Sequence, residues 1–265
     1  MNTVSIPAIA AAPAGAEMPL ARLFGAYLAE ARSECLRYMR APSFMLPIIL
    51  FPTLFYLLFG VVMGKAEGAD AVRYLLASYS VFGVMSPGLF GFGVSLAMER
   101  DGGLLTYKRA LPMPPGAYLL GKMLMAMLAA AFVVLLLLAM ALLLAHVTLT
   151  LTQVGALLLT GILGVLPFCA LGMFMGTLIK GQGAPGMLNL IYLPMSFLSG
   201  LWVPLSALPK FLQQFAPVWP SYHLDQLALA AVGMGQSALW PHVLVLLGFA
   251  VGFLLLAARR LRRYG

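Results

Sequence analysis

Residues 99–122 read ERDGGLLTYKRALPMPPGAYLLGK, and the interpretation of the whole chain depends on this stretch. It is the densest mixed-charge run in a sequence that is 62% hydrophobic and 9% charged, whereas about a quarter of a typical soluble domain is charged. Apolar segments long enough to cross a bilayer lie on both sides of it. A polar loop between two such segments must lie in water. We therefore expect a membrane protein that offers a surface for another protein here.

Six apolar segments of about 20 or more residues predict an all-α fold with six transmembrane helices. They lie near 43–64, 74–98, 123–145, 154–179, 184–203 and 238–258, so residues 43–258 form one transmembrane domain. The spacings Gly172–Gly176 and Gly248–Gly252 permit close helix contacts, either within one bundle or at a seam between two copies. Prolines inside the segments predict kinks at Pro47, Pro52, Pro87, Pro167 and Pro194.

Lysine and arginine are concentrated on one side of the predicted membrane. The 99–122 loop and both terminal segments are rich in them, whereas the opposite side has Lys65, Arg73 and Lys210. This bias predicts that both termini and the loop are cytoplasmic. Topology and contacts with lipid headgroups then account for the net charge of +8, and nucleic-acid binding is not needed to explain it.

The two ends of the chain differ in composition from the spans. Residues 1–18 lack the basic and apolar regions of a signal peptide and predict a disordered tail. Residues 19–41 show helical periodicity and predict an amphipathic helix in the membrane interface, with Arg22, Arg37 and Arg40 at headgroup level. An ordinary helix packed on a soluble partner is the alternative. Residues 259–265 form a basic cytoplasmic tail.

The segment between the fifth and sixth predicted spans is divided by prolines into pieces too short to cross a bilayer. Pro204 and Pro209 are two of these, and Trp202, Trp219 and Tyr222 are residue types that prefer the interface. We predict one or two short helices that enter the outer leaflet and return as a re-entrant hairpin.

Sequence signatures of catalysis are missing. The nucleotide-binding pattern G-x-x-x-x-G-K-[ST], H-E-x-x-H and G-x-S-x-G do not occur, and the nearest approach, GVVMGKA at 60–66, has the wrong glycine spacing. Cys35 and Cys169 are predicted to be free thiols. We therefore predict no catalytic residue, no metal site and no cofactor in this chain, and no enzymatic activity of its own.

The predicted spans contain no Asp, Glu, Lys or Arg, and Asn189 is their one strongly polar residue at depth. Ion- and proton-coupled carriers typically need ionisable groups there, so this class is disfavoured, although a sodium site of backbone carbonyls stays open. Spans rich in Met and Phe suit an amphipathic or lipid-like cargo.

Within the 99–122 loop, Gly102 and Gly103 permit a sharp turn, and residues 104–111 predict a short helix that Pro112 ends. Such a helix, held between two spans, would transmit a push into both of them. The alternative is a solvated connector whose charges only fix topology.

Two motifs resemble the permeases of the ABC-2 type exporter family. The run E-R-D-x-G-x-L-x-x-x-R-x-x-P followed by G-K is similar to that family's loop after span two, and FLSGLWVPLSALP at 197–209 is similar to its entry into a re-entrant hairpin. The layout is also similar to the half-transporters of the eukaryotic G subfamily. Leu104 and Thr106 differ from the residues that are common at these positions in the family. The difference affects the expected details of the contact with the ATPase and not the resemblance itself. The first motif matches at Glu99, Arg100, Gly103, Leu105, Pro112, Gly121 and Lys122.

The resemblance implies the permease subunit of an ATP-binding cassette exporter in the bacterial inner membrane. A second permease chain, a copy of this one, would be its partner, and a cytoplasmic ATPase subunit would bind ATP and Mg. Glu99 and Arg100 would anchor the coupling helix. The residues facing the ATPase would be Tyr107, Lys108 and Arg109. The outer gate and hairpin would contain Phe197, Gly200, Leu201, Trp202, Pro204 and Pro209.

Three functions follow from these observations. The first is ATP-driven export of a hydrophobic or amphipathic cargo such as a drug, lipid, glycolipid or peptide. The second is a secondary transporter or channel that works alone. The third, a membrane-embedded enzyme or assembly factor, is disfavoured because clustered catalytic side chains are missing.

Overall fold

A computed structural model of the chain describes residues 19–64, 68–110, 116–235 and 238–264. Within these ranges the regular structure is helical and contains no strand, which confirms the predicted all-α class. The predicted tail at 1–18 and Pro112 lie outside the described residues. The α-helices are α1 (Leu20–Met39), α2 (Pro42–Phe55), α3 (Ala69–Asp101), α4 (Leu104–Ala110), α5 (Ala117–Leu143), α6 (Leu151–Gly164), α7 (Leu166–Leu178), α8 (Ala184–Leu198), α9 (Lys210–Phe215), α10 (Pro220–Ala231) and α11 (Leu239–Tyr264).

Five segments among the described residues are long and apolar enough to cross a membrane, and each overlaps a predicted span. They are Met45–Met63, Ala69–Asp101, Ala117–Leu143, Leu151–Leu178 and Leu239–Leu261. The remaining predicted span, at 184–203, is not confirmed because α8 has only 15 residues, a rise of about 22 Å. The chain turns soon after α8 at Gly200, whose φ of 86° is a conformation that glycine adopts without strain.

Two of the spanning segments are interrupted near prolines. The first continues from α2 into a π-helical segment, Tyr56–Met63, where a Cβ on Gly60 would lie 2.5 Å from the Tyr56 ring. The other consists of α6 and α7, which meet at Val165. Pro167 lies in the first turn of α7, where its missing N–H would be unpaired in any helix.

The longest helix, α3, is the centre of the bundle. In the most apolar 18-residue stretch of α3, 89% of the residues are buried, whereas in that of α11 the share is 17%. It packs against α2, α5, α7, α8 and α10. Because α3 runs the full length of the bundle, it connects the charged end at Asp101 with the opposite end at Ala69.

The two predicted small-residue spacings have different environments. A Cβ on Gly172 would lie 2.6 Å from the Gly88 carbonyl oxygen of α3, and one on Gly176 would also lie against α3. This spacing therefore serves helix packing within one bundle. A Cβ on Gly248 or Gly252 would meet no atom within 4 Å, so that spacing lies on an open face of α11.

Candidate functional site

Charged side chains from four helices meet at the Asp101 end of α3. Three carboxylates face three cations there, so their formal charges cancel. We call this group the ion cluster, and it consists of Glu30, Glu34 and Arg37 of α1, Glu99 of α3, Lys108 of α4 and Lys122 of α5.

Lys122 is the centre of the ion cluster. Its side chain is 1% exposed, and its Nζ donates to Glu99 Oε1 at 2.9 Å, Glu34 Oε2 at 3.2 Å and Ser95 Oγ at 2.8 Å. Three acceptors satisfy the three ammonium protons. Separating Lys122 from Glu34 and Glu99 would leave buried charges without partners, so these contacts hold α5 to α1 and α3.

Glu99 links the ion cluster to α5 and α1 together. Its Oε2 accepts from the Tyr118 hydroxyl at 2.6 Å, and Oε1 also pairs with Arg37. Burial of the Arg37 guanidinium opposes its charge, but the carboxylates of Glu99 and Glu34 outweigh that effect and raise the Arg37 pKa. Arg37 therefore remains ionised at any physiological pH.

Helix α1 contacts the bundle through its charged face and through Tyr38, which is buried in a cluster with Ile48 of α2 and Met125 of α5. Glu30 and Glu34 point toward α5, where Gly121 permits the approach, since a Cβ on Gly121 would lie 3.2 Å from Glu30 Cγ. The apolar face carries Leu20, which is 82% exposed, and Phe24, which is also exposed. The amphipathic periodicity is thus present, with its apolar side turned away from the bundle. Of the predicted headgroup arginines, Arg37 belongs to the ion cluster, and the other two, Arg22 and Arg40, are exposed.

The short helix α4 is held by one charged and one apolar contact. Lys108 Nζ pairs with Glu30 and with Glu34 Oε1 at 3.3 Å, and it lies 4.6 Å from the centre of the Tyr118 ring. Leu105 packs on the hydrophobic core. Gly103, with φ of 74°, forms the turn before α4.

The outward side of α4 carries Tyr107, which is 63% exposed. Lys108, expected to face outward with it, points instead toward α1. The side chain of Arg109 lies outside the described part of the structure.

Arg100 and Asp101 bind the end of α7 and the turn that follows it. The Arg100 guanidinium donates to the carbonyl oxygens of Gly176 at 3.2 Å, Thr177 at 2.6 Å and Ile179 at 2.9 Å. These carbonyls have no partner within α7 because the helix ends there. Asp101 Oδ2 accepts from the Gly181 N–H at 2.6 Å. The end of α3 is therefore fixed to two neighbouring helices, α5 through Glu99 and α7 through Arg100.

The predicted outer-gate residues are divided between core and surface. Leu201 is fully buried, whereas Phe197 is 39% exposed, and the Gly200 carbonyl accepts from the Tyr74 hydroxyl at 2.6 Å. Trp202 stacks on Phe55 with ring centroids 5.5 Å apart. Two further predicted residues, Pro204 and Pro209, are exposed and precede short helical turns.

Two polar pairs that involve α10 were not predicted from sequence. Asp225 of α10 is buried and accepts from the Ser78 hydroxyl of α3 at 3.0 Å. His223 Nδ1 lies 2.8 Å from His242 Nδ1, so one imidazole donates and the other accepts. The first pair joins α10 to α3, 147 positions away, and the second joins α10 to the next helix, α11, 19 positions away. Local sequence gave no signal for either pair.

Comparison with known proteins identifies the family. A family model described as ABC-2 type transporter matches residues 26–232, which include the ion cluster and the predicted outer hairpin. The chain is 27% identical over 228 residues to the transport permease YvfS of Bacillus subtilis (strain 168), covering 85% of this chain and 92% of that protein. It is 32% identical over 97 residues to the inner membrane transport permease YhhJ of Escherichia coli (strain K12), covering 36% of this chain and 26% of that protein. With most of its length matched and its helices long enough to cross a membrane several times, the chain is a multi-pass membrane protein that belongs to the ABC-2 type transporter family.

Proposed function

We propose that this chain is the permease subunit of an ATP-driven exporter and that α4 is the coupling helix on which a separate ATPase subunit acts. The ion cluster is the observation that supports this proposal. It joins α4 to α1, α3 and α5 through buried charged contacts, so a displacement of α4 must move these helices or break buried ion pairs. Since breaking such a pair costs about 3–5 kcal/mol, moving the helices together is the less costly response.

The surface that receives the ATPase is proposed to be the outward side of α4. Tyr107 is exposed there and aromatic residues are frequent anchors in protein interfaces. Lys108 faces inward and would connect the docking surface with the ion cluster. ATP and Mg would be bound by the ATPase subunit, and we propose that this end of the bundle is cytoplasmic, as the distribution of basic residues predicts.

The exposed apolar surfaces support proposals for where the chain contacts the membrane and a second copy of itself. Leu20, Phe24 and Leu28 form an apolar stripe on α1, which suits a helix lying in the membrane interface. Leu50 and Leu54 of α2 are also exposed, and we propose that this face meets lipid or a second copy of the chain. A hydrophobic or amphipathic cargo would then cross between the two copies.

Reconstitution tests this proposal. The chain and its ATPase, placed together in proteoliposomes, should transport cargo and hydrolyse ATP in a coupled manner. Tyr107→Ala should weaken ATPase binding and Glu99→Ala should reduce cargo-stimulated hydrolysis, while both variants still insert into the membrane. Lys210→Ala, an exposed residue at the other end, serves as the control and should change neither quantity. Vesicles that contain the chain alone and still accumulate cargo against a gradient would contradict the proposal.

A further inference from the structure

A cavity lies at the Ala69 end of α3, opposite the ion cluster. Its volume is about 390 Å³, within the range of small-molecule pockets. The described walls come from the π-helical segment, the first turns of α3 and the turn after α8. Its main lining residues are Phe59, Met63, Asp70, Tyr74, Trp202 and Met234.

The aromatic wall of this cavity is fixed by contacts behind it. Trp202 stacks on Phe55 and meets Phe82 edge-on, with ring centroids 5.5 and 5.7 Å apart. The Tyr74 hydroxyl donates to the Gly200 carbonyl at 2.6 Å, which fixes the ring between α3 and the turn after α8. Aromatic pairs in these arrangements contribute beyond their buried area. The rings therefore keep their positions whether or not a ligand is present.

The cavity contains one charged group that has no partner among the described residues. Asp70 is exposed and is the one charged side chain in the described lining, and within the part of the chain that the structure describes it makes no hydrogen bond or ion pair. The indole Nε1 of Trp202 is buried, so the Trp202 ring and not this atom is available to a ligand. The cavity thus offers a carboxylate and aromatic rings.

We propose that this cavity binds a lipophilic cation. Its positive group would lie near the Asp70 carboxylate, because aromatic faces and a carboxylate both attract cations. Its apolar body would contact the rings of Phe59, Tyr74 and Trp202. An anion of the same size would be repelled by Asp70. A zwitterionic lipid headgroup would bring its phosphate toward the same carboxylate, so a net cation fits better. Trp202 also belongs to the predicted outer gate, but binding is tested on the chain alone and does not require ATP-driven export.

Binding of tetraphenylphosphonium to the purified full-length chain in detergent micelles, measured by equilibrium dialysis, tests this inference. Tetraphenylborate has nearly the same size and the opposite charge, and it serves as the matched probe. We expect saturable binding of the cation and none of the anion. Asp70→Asn should weaken cation binding about fivefold, as expected for losing a solvent-accessible ion pair, whereas Asp70→Glu should retain it.

Tryptophan emission gives a second readout that locates the ligand. Cation binding should change the emission of the wild-type chain and of Trp240→Phe, which replaces an indole that is 68% exposed and lies outside the cavity. The change should be lost in Trp202→Phe. Saturable binding of both ions with equal affinity, or an unchanged cation affinity in Asp70→Asn, would overturn the inference, and so would an emission change that persists in Trp202→Phe.

Discussion

At the Asp101 end of α3 the buried carboxylates of Glu34 and Glu99 face the cations Lys122 and Arg37, whereas near the Ala69 end the buried carboxyl of Asp225 faces a serine hydroxyl. In the first arrangement each carboxylate lies beside positive charges. The second gives a charged carboxylate little compensation, so burial favours the protonated form. One helix therefore joins an end held by ion pairs to an end whose buried acid prefers to be neutral.

This difference has a mechanical consequence. Ion pairs that are buried and mutually dependent allow few intermediate positions, so the charged end should move as one body. The opposite end is held by aromatic stacking and single hydrogen bonds, which tolerate small displacements. Within the proposed function, motion received at α4 would reach the far end through α3 as a rigid shift.

Removing the centre of the ion cluster should give the largest effect. Lys122→Met keeps a similar volume but removes the buried cation between Glu34 and Glu99 and leaves Arg37 as the one cation that pairs with both of them among the described residues. We expect a loss of about 3–5 kcal/mol in the free energy of unfolding, measured by unfolding in mixed detergent and SDS micelles. The matched control is Lys210→Met at an exposed position, which should stay within about 0.5 kcal/mol of the wild type. Equal stability of the two variants would show that the ion cluster is not structural.

The opposite end should respond to pH instead. Burial raises the pKa of Asp225 to about 8, so the folded state binds this proton more tightly than the unfolded state does. The stabilisation is complete below the ordinary pKa near 4 and is lost as the pH rises toward 8. Relative to Asp225→Asn, which does not titrate, the wild type should lose roughly 2–4 kcal/mol between pH 5 and pH 9. Parallel stability curves for the two proteins would contradict the assignment.

Two aromatic substitutions, one at each end of α3, compare the two ends through small changes in side-chain structure. Tyr118→Phe removes the hydroxyl that donates to Glu99 at 2.6 Å, and we expect a loss of about 1.5–3 kcal/mol because the acceptor is charged. Trp202→Phe removes an N–H that has no acceptor, so no hydrogen bond is lost and the cost should come only from reduced packing. If Trp202→Phe is the more destabilising variant in the same unfolding assay, the comparison fails.

Local sequence patterns predicted much of the bundle but not its contacts. The length of the apolar segments correctly predicted five of the spans, and the spacing of Leu20, Phe24 and Leu28 correctly predicted the helix α1. The pattern did not show that α1 meets the bundle through Glu30 and Glu34, because that choice depends on partners in α4 and α5.

Contacts between residues far apart in the chain explain other differences between the predicted and the observed structure. Lys122 and Glu34 are 88 positions apart, and neither side chain by itself indicates a buried site. Asp225 lies in a segment that was predicted to be an outer loop, and it is buried because α10 packs against α3. The predicted fifth span has an apolar composition through Val203, but its helix ends at Leu198 before the Gly200 turn. Apolar composition alone does not predict such a turn.

The account depends on the contact between α4 and α1 through Lys108 and Glu30. A charge exchange tests it most directly, with cargo-stimulated ATP hydrolysis and transport measured in proteoliposomes that contain the chain and its ATPase. Lys108→Glu and Glu30→Lys should each reduce coupling, and the double variant should recover a large part of it because the opposite charges meet again. Losses that simply add in the double variant, with membrane insertion intact, would contradict the claim that this ion pair transmits motion.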